Sequence, residues 1–326
     1  MLATAMLATA IGLHDTSTPG ASHHDAGFSS TDLRVERTTF TISLEARYRM
    51  TRSDWSDWLP REVATASPDG VSIWYLGCNG FVLKGSGGTT LFIDPYLGLG
   101  DPPRTIRMIP VPFDPDDVEA ADAVLVTHEH TDHVHGPSQA PILANTGATL
   151  YGPAEAVAVA REDEAWSETW DVSDDQLGEV TEGDTIELGE FTVSVELAND
   201  PDSAHPVSYV VEHEAGTFFH GGDTKPTEEL ARVGREYDID LGVLALGSVG
   251  MVPGKEVGEA VRTRWYSDEN DVIRTANDLQ LDRLLPSHWD MWKGLTADPT
   301  ALYHHARGFE YPRRIEIVEI GDRVEL

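Results

Sequence analysis

The chain has 326 residues, 40% of them hydrophobic, which is enough for one large α/β domain or two small ones around a sizeable core. Its 56 acidic residues outnumber its 23 basic ones, for a net charge of −33, and such a surface repels nucleic-acid phosphates and anionic membranes. Bulk charge therefore argues against nucleic acids and membranes as partners. In addition, no apolar run approaches the roughly 18 residues that cross a bilayer.

The acidity has two interpretations, disorder and adaptation to salt. Disordered chains combine high charge with few aromatic residues, whereas this chain has eight Trp, nine Tyr and nine Phe. We therefore expect a folded, halophilic protein, because molar salt shortens the screening length between carboxylates to roughly 3 Å. The single cysteine, Cys78, excludes an internal disulfide and a thiolate cluster, fits a cytoplasmic location, and is interpreted as a small buried hydrophobic residue.

Residues 1–49 differ from the rest of the chain. They hold five acidic and four basic residues, a net of −1, and they repeat MLATA and are rich in Ser, Thr and Gly around 16–31. We predict a disordered tail or a non-native extension here, with Met50 as an alternative start. The folded domain is then expected to span residues 50–326.

Alternating strands and helices are predicted from residue 50 onward. The apolar, β-branched runs at 71–85 and 89–96 are predicted as strands joined by a Gly-Ser-Gly-Gly turn. That glycine run lacks the Lys-Ser/Thr ending of a phosphate-binding loop, so we interpret it as a turn. Residues 114–121 are predicted as a short helix with acids in its first turn, and 121–127 as a buried strand.

The second half of the chain is predicted to contain two hairpins followed by strand–helix units. These are hairpins at 184–198 and 206–222, helices at 226–236, ending near Leu279 and near 298–307, and strands at 240–247, 282–288, 314–319 and 322–326. A hairpin-rich first half followed by such units predicts two mixed sheets packed face to face, with helices on the outer faces.

The densest chemical feature is the segment THEHTDHVHG, which directly follows the predicted strand at 121–127. It places four of the 13 histidines within eight residues. Buried imidazoles need partners and protonated ones repel each other, so a purely structural role is improbable. The spacing of His128, His130, Asp132 and His133 lets one loop offer nitrogen and oxygen ligands to two adjacent cations, and such ligands suit Zn, Mn or Fe.

This His-x-His-x-Asp-His pattern resembles the metal-binding motif of the metallo-β-lactamase superfamily. The resemblance continues in order along the chain: Asp94 in FIDP matches an aspartate that ends an early strand of that fold. Asp223 in HGGDT matches the metal-bridging carboxylate, and His288 in PSHWD matches the final histidine ligand. The resemblance implies an αββα sandwich whose metal ligands include these two residues and the histidine-rich loop.

Further segments resemble one branch, L-ascorbate-6-phosphate lactonase and its relatives. They are WYLGCNG at 74–80, KGSGGT at 84–89, and HWDMW at 288–292 followed by Ala-Asp-Pro. The similarity covers roughly residues 50–310. It implies the lactonase-like branch without fixing the substrate.

One position departs from the superfamily pattern. Many members have a histidine ligand after the strand predicted here near 191–197, where this chain offers Asp200, with His205 as the alternative. An oxygen ligand in place of nitrogen would make the donor set harder and favour Mn over Zn. The sequence leaves open whether one ion or two ions bind. His135 and His220 are interpreted as core or supporting residues.

The implied activity is metal-assisted hydrolysis, in which a bound cation lowers the pKa of water toward neutrality and supplies hydroxide. Asp132 and His133 are the predicted catalytic residues, with Asp132 acting as ligand, general base or both. Trp289 and Trp292 flank a ligand and are predicted, with Lys255, to bind substrate.

Three functions are compatible with this reading. The first is hydrolysis of a lactone or carboxylic ester, such as a sugar or sugar-phosphate lactone. The second is a metal-dependent phosphodiesterase or nuclease, and the third is a non-catalytic metal-binding protein on the same fold. The expected partner is a small-molecule substrate, with neutral and anionic ones both left open; a homo-oligomer is compatible with the sequence.

Overall fold

Two layers of β-sheet form the centre of the fold. The structure, a computed structural model, describes residues 53, 55–254, 258–306 and 314–326. The predicted tail at 1–49 lies outside the described residues. Among the residues described, no helix has the length and apolar character needed to cross a membrane.

The strands are short and follow the predicted hairpins and strand–helix units. They are β1 Val71–Gly77, β2 Gly80–Gly85, β3 Thr90–Ile93, β4 Ala123–Leu125, β5 Thr149–Gly152, β6 Leu177–Glu179, β7 Thr185–Leu188, β8 Phe191–Leu197, β9 Val207–His213, β10 Gly216–His220, β11 Leu241–Ala245, β12 Gly250–Pro253, β13 Ala260–Thr263, β14 Arg283–Ser287, β15 Arg314–Ile315 and β16 Arg323–Glu325.

The helices lie between these strands. They are α1 Trp58–Thr65, α2 Gly136–Thr146, α3 Ala154–Glu162, α4 Ala165–Glu168, α5 Glu228–Glu236, α6 Glu269–Asp278 and α7 Leu302–Ala306, with single 3₁₀ turns at Pro115–Asp117, Asp174–Gln176 and Pro299–Ala301.

Each main sheet has seven strands and is mixed. The first has the order β16-β1-β2-β3-β4-β5-β6 and the second β15-β14-β11-β10-β9-β8-β7, while β12 and β13 form a separate hairpin. Strands β3 to β6 run parallel, as do β10, β11, β14 and β15. The predicted sandwich of two mixed sheets with outer helices is confirmed.

Strand β1 shows how the layers are packed. Successive side chains of a strand point to opposite faces, and here Ile73 and Tyr75 join the cluster between the two sheets. Trp74 and Leu76 join the cluster beneath the outer helices of the first sheet. Because both faces are covered, the strand is buried along its whole length, which explains its continuous apolar sequence.

The segment predicted as one strand at 71–85 is two strands. The chain turns back at Cys78 and Asn79, and Gly77 and Cys78 have positive φ angles of 85° and 59°. An unbroken apolar run hides such a turn, because both arms of the hairpin are buried. The turn places Cys78 and Asn79 at the end of the sheet.

Other differences concern short or locally unmarked elements. The helix predicted at 114–121 is a single 3₁₀ turn at Pro115–Asp117. Helices α1 to α4 with β5 and β6, and the hairpin of β12 and β13, had not been predicted. The predicted turn between β2 and β3 is present, with Gly88 at a φ of 99° that favours glycine.

Candidate metal centre

Six connections meet at one edge of the sandwich and carry the candidate site. They are the turn between β1 and β2 and the segments that follow β3, β4, β8, β10 and β14. The histidine-rich loop follows β4, Asp94 follows β3, Asp200 follows β8, Asp223 follows β10 and His288 follows β14. Parallel strands end at the same edge of a sheet, so residues far apart in sequence come together there.

A first group of donors, the cleft-side group, consists of His128, His130 and Asp200. His128 Nε2 lies 2.9 Å from His130 Nδ1, and Asp200 Oδ2 lies 3.8 and 3.5 Å from these two nitrogens. Together with an oxygen of Asp223, these ligand atoms all lie within 4.8 Å of one another. The two predicted histidine ligands therefore share a site with Asp200.

A second group, the inner group, consists of Asp132, His133 and His288. His288 Nε2 lies 3.3 Å from Asp132 Oδ2, and His133 Nε2 lies 4.0 Å from Asp132 Oδ1. Asp223 Oδ1 lies 3.5 Å from His133 Nε2 and 3.9 Å from His288 Nε2. Asp223 therefore stands between the groups, as a bridging carboxylate requires.

His205, the alternative to Asp200, lies away from this cluster. Its side chain is 77% exposed and its Nδ1 lies 2.6 Å from Glu155 Oε1. Asp200 is 4% exposed, and Lys225 Nζ donates to its second oxygen at 3.3 Å. Of the two candidates, the structure brings Asp200 to the site.

Asp94 positions the histidine-rich loop from beneath. One of its oxygens accepts from the Thr127 N–H at 2.9 Å, and the other accepts from the Thr127 hydroxyl at 2.7 Å. The second oxygen also accepts from His133 Nδ1 at 2.8 Å. With Nδ1 occupied, His133 must present Nε2 to the centre, the usual role of a carboxylate behind a metal-binding histidine.

Asn79 positions the carboxylate of Asp223. Its side-chain nitrogen donates to Asp223 Oδ1 at 2.8 Å, while its own Oδ1 accepts from the Ser287 hydroxyl. His220 Nε2 donates to the Asn79 carbonyl at 2.9 Å, so His220 supports the backbone of Asn79.

A glycine allows the Asp223 loop to come close to the histidine-rich loop. Gly222 has a φ of 55°, and a Cβ at this position would lie 2.8 Å from Thr127 Oγ1. A larger residue would push Asp223 away from the centre.

Backbone strain is concentrated at the site. Six non-glycine residues of the described chain have positive φ, and three of them are Asp94, Cys78 and His288, at 44°, 59° and 62°. Such conformations cost on the order of 1–3 kcal/mol each and persist where the surrounding structure enforces them. The fold thus holds these three residues in place at a cost in stability.

The donor set fits a divalent cation. His133 Nε2 is fully buried and has no hydrogen-bond partner among the described residues, and leaving a buried polar atom unpaired costs about 1–3 kcal/mol. Imidazole nitrogens and carboxylate oxygens 3–4 Å apart are the ligands that Zn, Mn and Fe take in proteins. A cation would satisfy the unpaired nitrogen and balance the carboxylates.

The protonation states also suit metal binding. Burial, with the neighbouring His133, lowers the pKa of His128 to about 3, so its imidazole is neutral. Burial raises the pKa of Asp132, but the hydrogen bond from His288 and the charge of His133 outweigh this and hold it well below its usual range. Burial by itself lowers the pKa of His133, but the carboxylates of Asp94 and Asp223 outweigh burial and raise this pKa well above its usual value. His133 therefore carries an additional proton, which a cation would replace.

A cleft of about 700 Å³ opens onto the centre. His130, Asp132 and Asp223 lie in its floor, and aromatic side chains form part of its wall. Arg104 is the one Arg or Lys among the described lining residues, and its guanidinium lies 5.8 Å from the centroid of the Trp265 ring.

The three predicted substrate-binding residues have different places. Trp292 lines the cleft, and its Nε1 donates to Asp132 Oδ2 at 3.1 Å. Trp289 packs against the cluster between the second sheet and its helices and does not line the cleft, so core packing is its role here. Lys255 lies outside the described residues.

Sequence reasoning missed several residues of the site. Asn79 and Cys78 lay within the lactonase-like segment at 74–80, so that resemblance could have pointed to them. Arg104 and Trp265 had no local signal, because their position at the cleft depends on how two distant loops meet.

Comparisons with known proteins agree with this geometry. A family model described as "Beta-lactamase superfamily domain" matches residues 89–289. The protein of Salmonella gallinarum named "Probable L-ascorbate-6-phosphate lactonase UlaG" is 26% identical over 304 residues, covering 79% of this chain and 81% of its own length.

Two solved structures share the fold. Igni18, a metallo hydrolase from Ignicoccus hospitalis, has a TM-score of 0.56 at 18% identity, covering 78% of this chain and 97% of its own. CmlA, a diiron β-hydroxylase from Streptomyces venezuelae, has a TM-score of 0.59 at 16% identity, covering 79% of this chain and 55% of its own. The chain belongs to the metallo-β-lactamase superfamily, in its L-ascorbate-6-phosphate lactonase-like branch, and is a hydrolase of that fold.

Proposed function

We propose that the chain is a metal-dependent hydrolase that opens a lactone or carboxylic ester in a small, anionic substrate such as a sugar or sugar-phosphate lactone. The observation that carries the proposal is a cleft of about 700 Å³ with the nitrogen and oxygen donors in its floor, and with an aromatic wall and one arginine above them. The similarity to proteins named as lactonases supports the choice of bond.

Seven residues would hold the metal. We assign them as His128, His130 and Asp200 on the cleft side, Asp132, His133 and His288 on the inner side, and Asp223 between them. When bound, a divalent cation supplies Lewis acidity toward the substrate carbonyl and a nucleophile at neutral pH. We propose manganese or zinc, in one or two ions.

Asp132 is the proposed catalytic carboxylate. It lines the cleft, and its low pKa leaves it ionised at neutral pH, able to accept a proton from an attacking water. Trp292 Nε1 and His288 Nε2 hold its Oδ2 in place. His133 does not line the cleft, so we assign its part in the reaction to holding the metal.

Arg104 and Trp292 are the proposed recognition residues. An arginine at the cleft wall can pair two donors with a carboxylate or phosphate of the substrate. The Trp265 ring beside Arg104 favours one orientation of the guanidinium. The flat ring of Trp292 offers an apolar surface to a sugar ring.

The test is a comparison of two substrates on the same protein. We expect kcat/KM for a sugar lactone to exceed that for bis(p-nitrophenyl) phosphate, measured in high salt with manganese or zinc. A long phosphodiester needs a basic groove, and the described lining of this cleft has a single arginine and six carboxylates. A clear preference for the phosphodiester would overturn the proposal.

A further inference from the structure

The turn between β1 and β2 brings the thiol of Cys78 into the metal centre. Cys78 Sγ lies 3.3 Å from His288 Nε2 and 3.8 Å from the Asp132 carbonyl oxygen. The sulfur, a carboxylate oxygen of Asp132 and a ring nitrogen of His288 all lie within 4.8 Å of one another. The side chain is fully buried, but its surroundings are the donors of the inner group and not only apolar core.

These separations match those around a tetrahedral cation. Zinc–sulfur bonds of about 2.3 Å and zinc–nitrogen or zinc–oxygen bonds of about 2.1 Å place sulfur and nitrogen about 3.6 Å apart, and nitrogen and oxygen about 3.4 Å apart. The observed distances are 3.3 Å for Cys78 Sγ to His288 Nε2 and 3.3 Å for His288 Nε2 to Asp132 Oδ2. A thiol–imidazole hydrogen bond also fits the first distance, so this distance alone does not distinguish a metal ligand from a hydrogen-bonded thiol.

The neighbouring His133 has a buried ring nitrogen without a partner in the described part of the chain. His133 Nε2 is fully buried, has no hydrogen-bond partner among the described residues, and faces Asp132 Oδ1 at 4.0 Å and Asp223 Oδ1 at 3.5 Å. The same two carboxylates face His288. A buried ring nitrogen without a hydrogen-bond partner, beside two carboxylates that also face His288, indicates a position where a cation would replace the ring proton on the inner side of the centre.

Backbone contacts fix the thiol next to His288. The His288 N–H donates to the Cys78 carbonyl at 2.8 Å, and the Tyr75 hydroxyl donates to the same oxygen at 3.1 Å. The Tyr266 ring packs against the other face of the site, 4.0 Å from the His288 ring between centroids. The two loops are therefore held together, so sulfur and nitrogen keep their spacing.

We propose that Cys78 is a thiolate ligand of the inner group, which therefore takes a thiophilic cation such as zinc. The cleft-side group of His128, His130 and Asp200 has only nitrogen and oxygen donors and accepts a harder ion such as manganese. Formation of the metal–sulfur bond releases the thiol proton to solvent. This inference rests on the proposed metal centre and assigns a different preference to each of its halves.

Cobalt substitution tests the proposal directly. Cys78 is the only cysteine of the chain, so a thiolate-to-cobalt charge-transfer band in the near ultraviolet can come from no other side chain. We expect this band in the full-length protein saturated with Co²⁺, and its loss in Cys78→Ser. His130→Ala is the matched control: it removes a ligand from the cleft-side group, so the band should remain.

A competition between metals gives a second readout. Removing even a supporting partner of a ligand weakens metal binding by about 10–100-fold, so Cys78→Ser should lower zinc affinity at the inner position by at least that factor. Zinc affinity is measured against a chelating dye, with manganese in excess. Affinity at the cleft side should be unchanged.

The outcomes separate this inference from the proposed function. Wild-type protein that binds cobalt to saturation without the band overturns the ligand role of Cys78, whatever the number of bound ions, and leaves hydrolysis untouched. Failure to bind any cobalt overturns the metal centre and both proposals. The band in a protein without lactonase activity supports the ligand role and contradicts the proposed substrate. If Cys78→Ser does not fold, the wild-type spectrum alone decides.

Discussion

The two halves of the candidate metal centre differ in how they are held. In the inner group the side chains of His133 and His288 have no exposed surface, and His133 is fixed from behind by the buried carboxylate of Asp94. In the cleft-side group His130 is 37% exposed, and the partner of Asp200 is the partly exposed Lys225. A buried, fully supported ligand resists loss of its metal, whereas an exposed one allows exchange and substrate access. The difference predicts a retentive inner position and a more exchangeable outer one.

Asp223 joins the two halves, so its removal should have the largest effect. Asp223→Ala takes away the one carboxylate that is grouped with donors of both halves. We expect bound metal to fall to near zero, with loss of hydrolysis, measured by elemental analysis of the dialysed protein. Asp202→Ala, another acid of the cleft lining, is the control and should keep its metal. Full metal content in Asp223→Ala would show that the halves are independent.

Single histidine variants separate the halves. His130→Ala should lose the cleft-side ion and activity while keeping the inner ion, and His133→Ala should lose the inner ion. Metal stoichiometry of the two variants, with an unfolding curve for each, checks this. If either change removes all bound metal, the seven donors hold one shared cation. The two halves would then not be separate metal sites.

Asp94→Asn tests the support of the inner half without removing a ligand. The amide can still contact Thr127, but it loses the charge that orients His133. We expect metal affinity to fall by about 10–100-fold and activity to return when metal is added in excess. Activity that stays low at saturating metal would assign Asp94 a role beyond positioning.

Arg104→Gln tests the cleft and should leave the metal untouched. One hydrogen bond to a charged group contributes about 1.5 kcal/mol, so KM for an anionic lactone should rise roughly tenfold with kcat little changed. A neutral lactone should show no such rise. Equal effects on both substrates would remove Arg104 from recognition.

Salt should have the smallest effect on the difference in metal retention between the two halves, because surface charge acts on both halves alike. With a net charge of −33, the midpoint of thermal unfolding should climb from about 0.1 M to several molar KCl, as the screening length falls from about 10 Å to 3 Å. Metal stoichiometry should stay constant over this range. A flat or falling midpoint would contradict the halophilic interpretation.

Elements with a clear local sequence pattern were predicted, and elements without one were missed. Hairpins such as β7–β8 and β9–β10 were predicted because alternation and turn residues are local. The turn at Cys78 was missed because both of its arms are buried and apolar. Helix α2 was missed because it begins in the histidine-rich loop and contains Pro137 and Pro141, which discourage a helix prediction.

The sequence alone determined the two-sheet architecture and the histidine-rich loop, since both depend on spacing within a few residues. It also indicated Asp223 and His288 by their motifs, and left Asp200 and His205 as alternatives. Only the tertiary structure placed Asp200, and not His205, beside His128 and His130, separated Trp292 from Trp289, and placed Arg104 at the cleft. It also placed Cys78, which is buried in the core as predicted, next to His288. Each of these outcomes depends on contacts between chain segments up to 210 residues apart, and periodicity and local propensity carry no information about such distances.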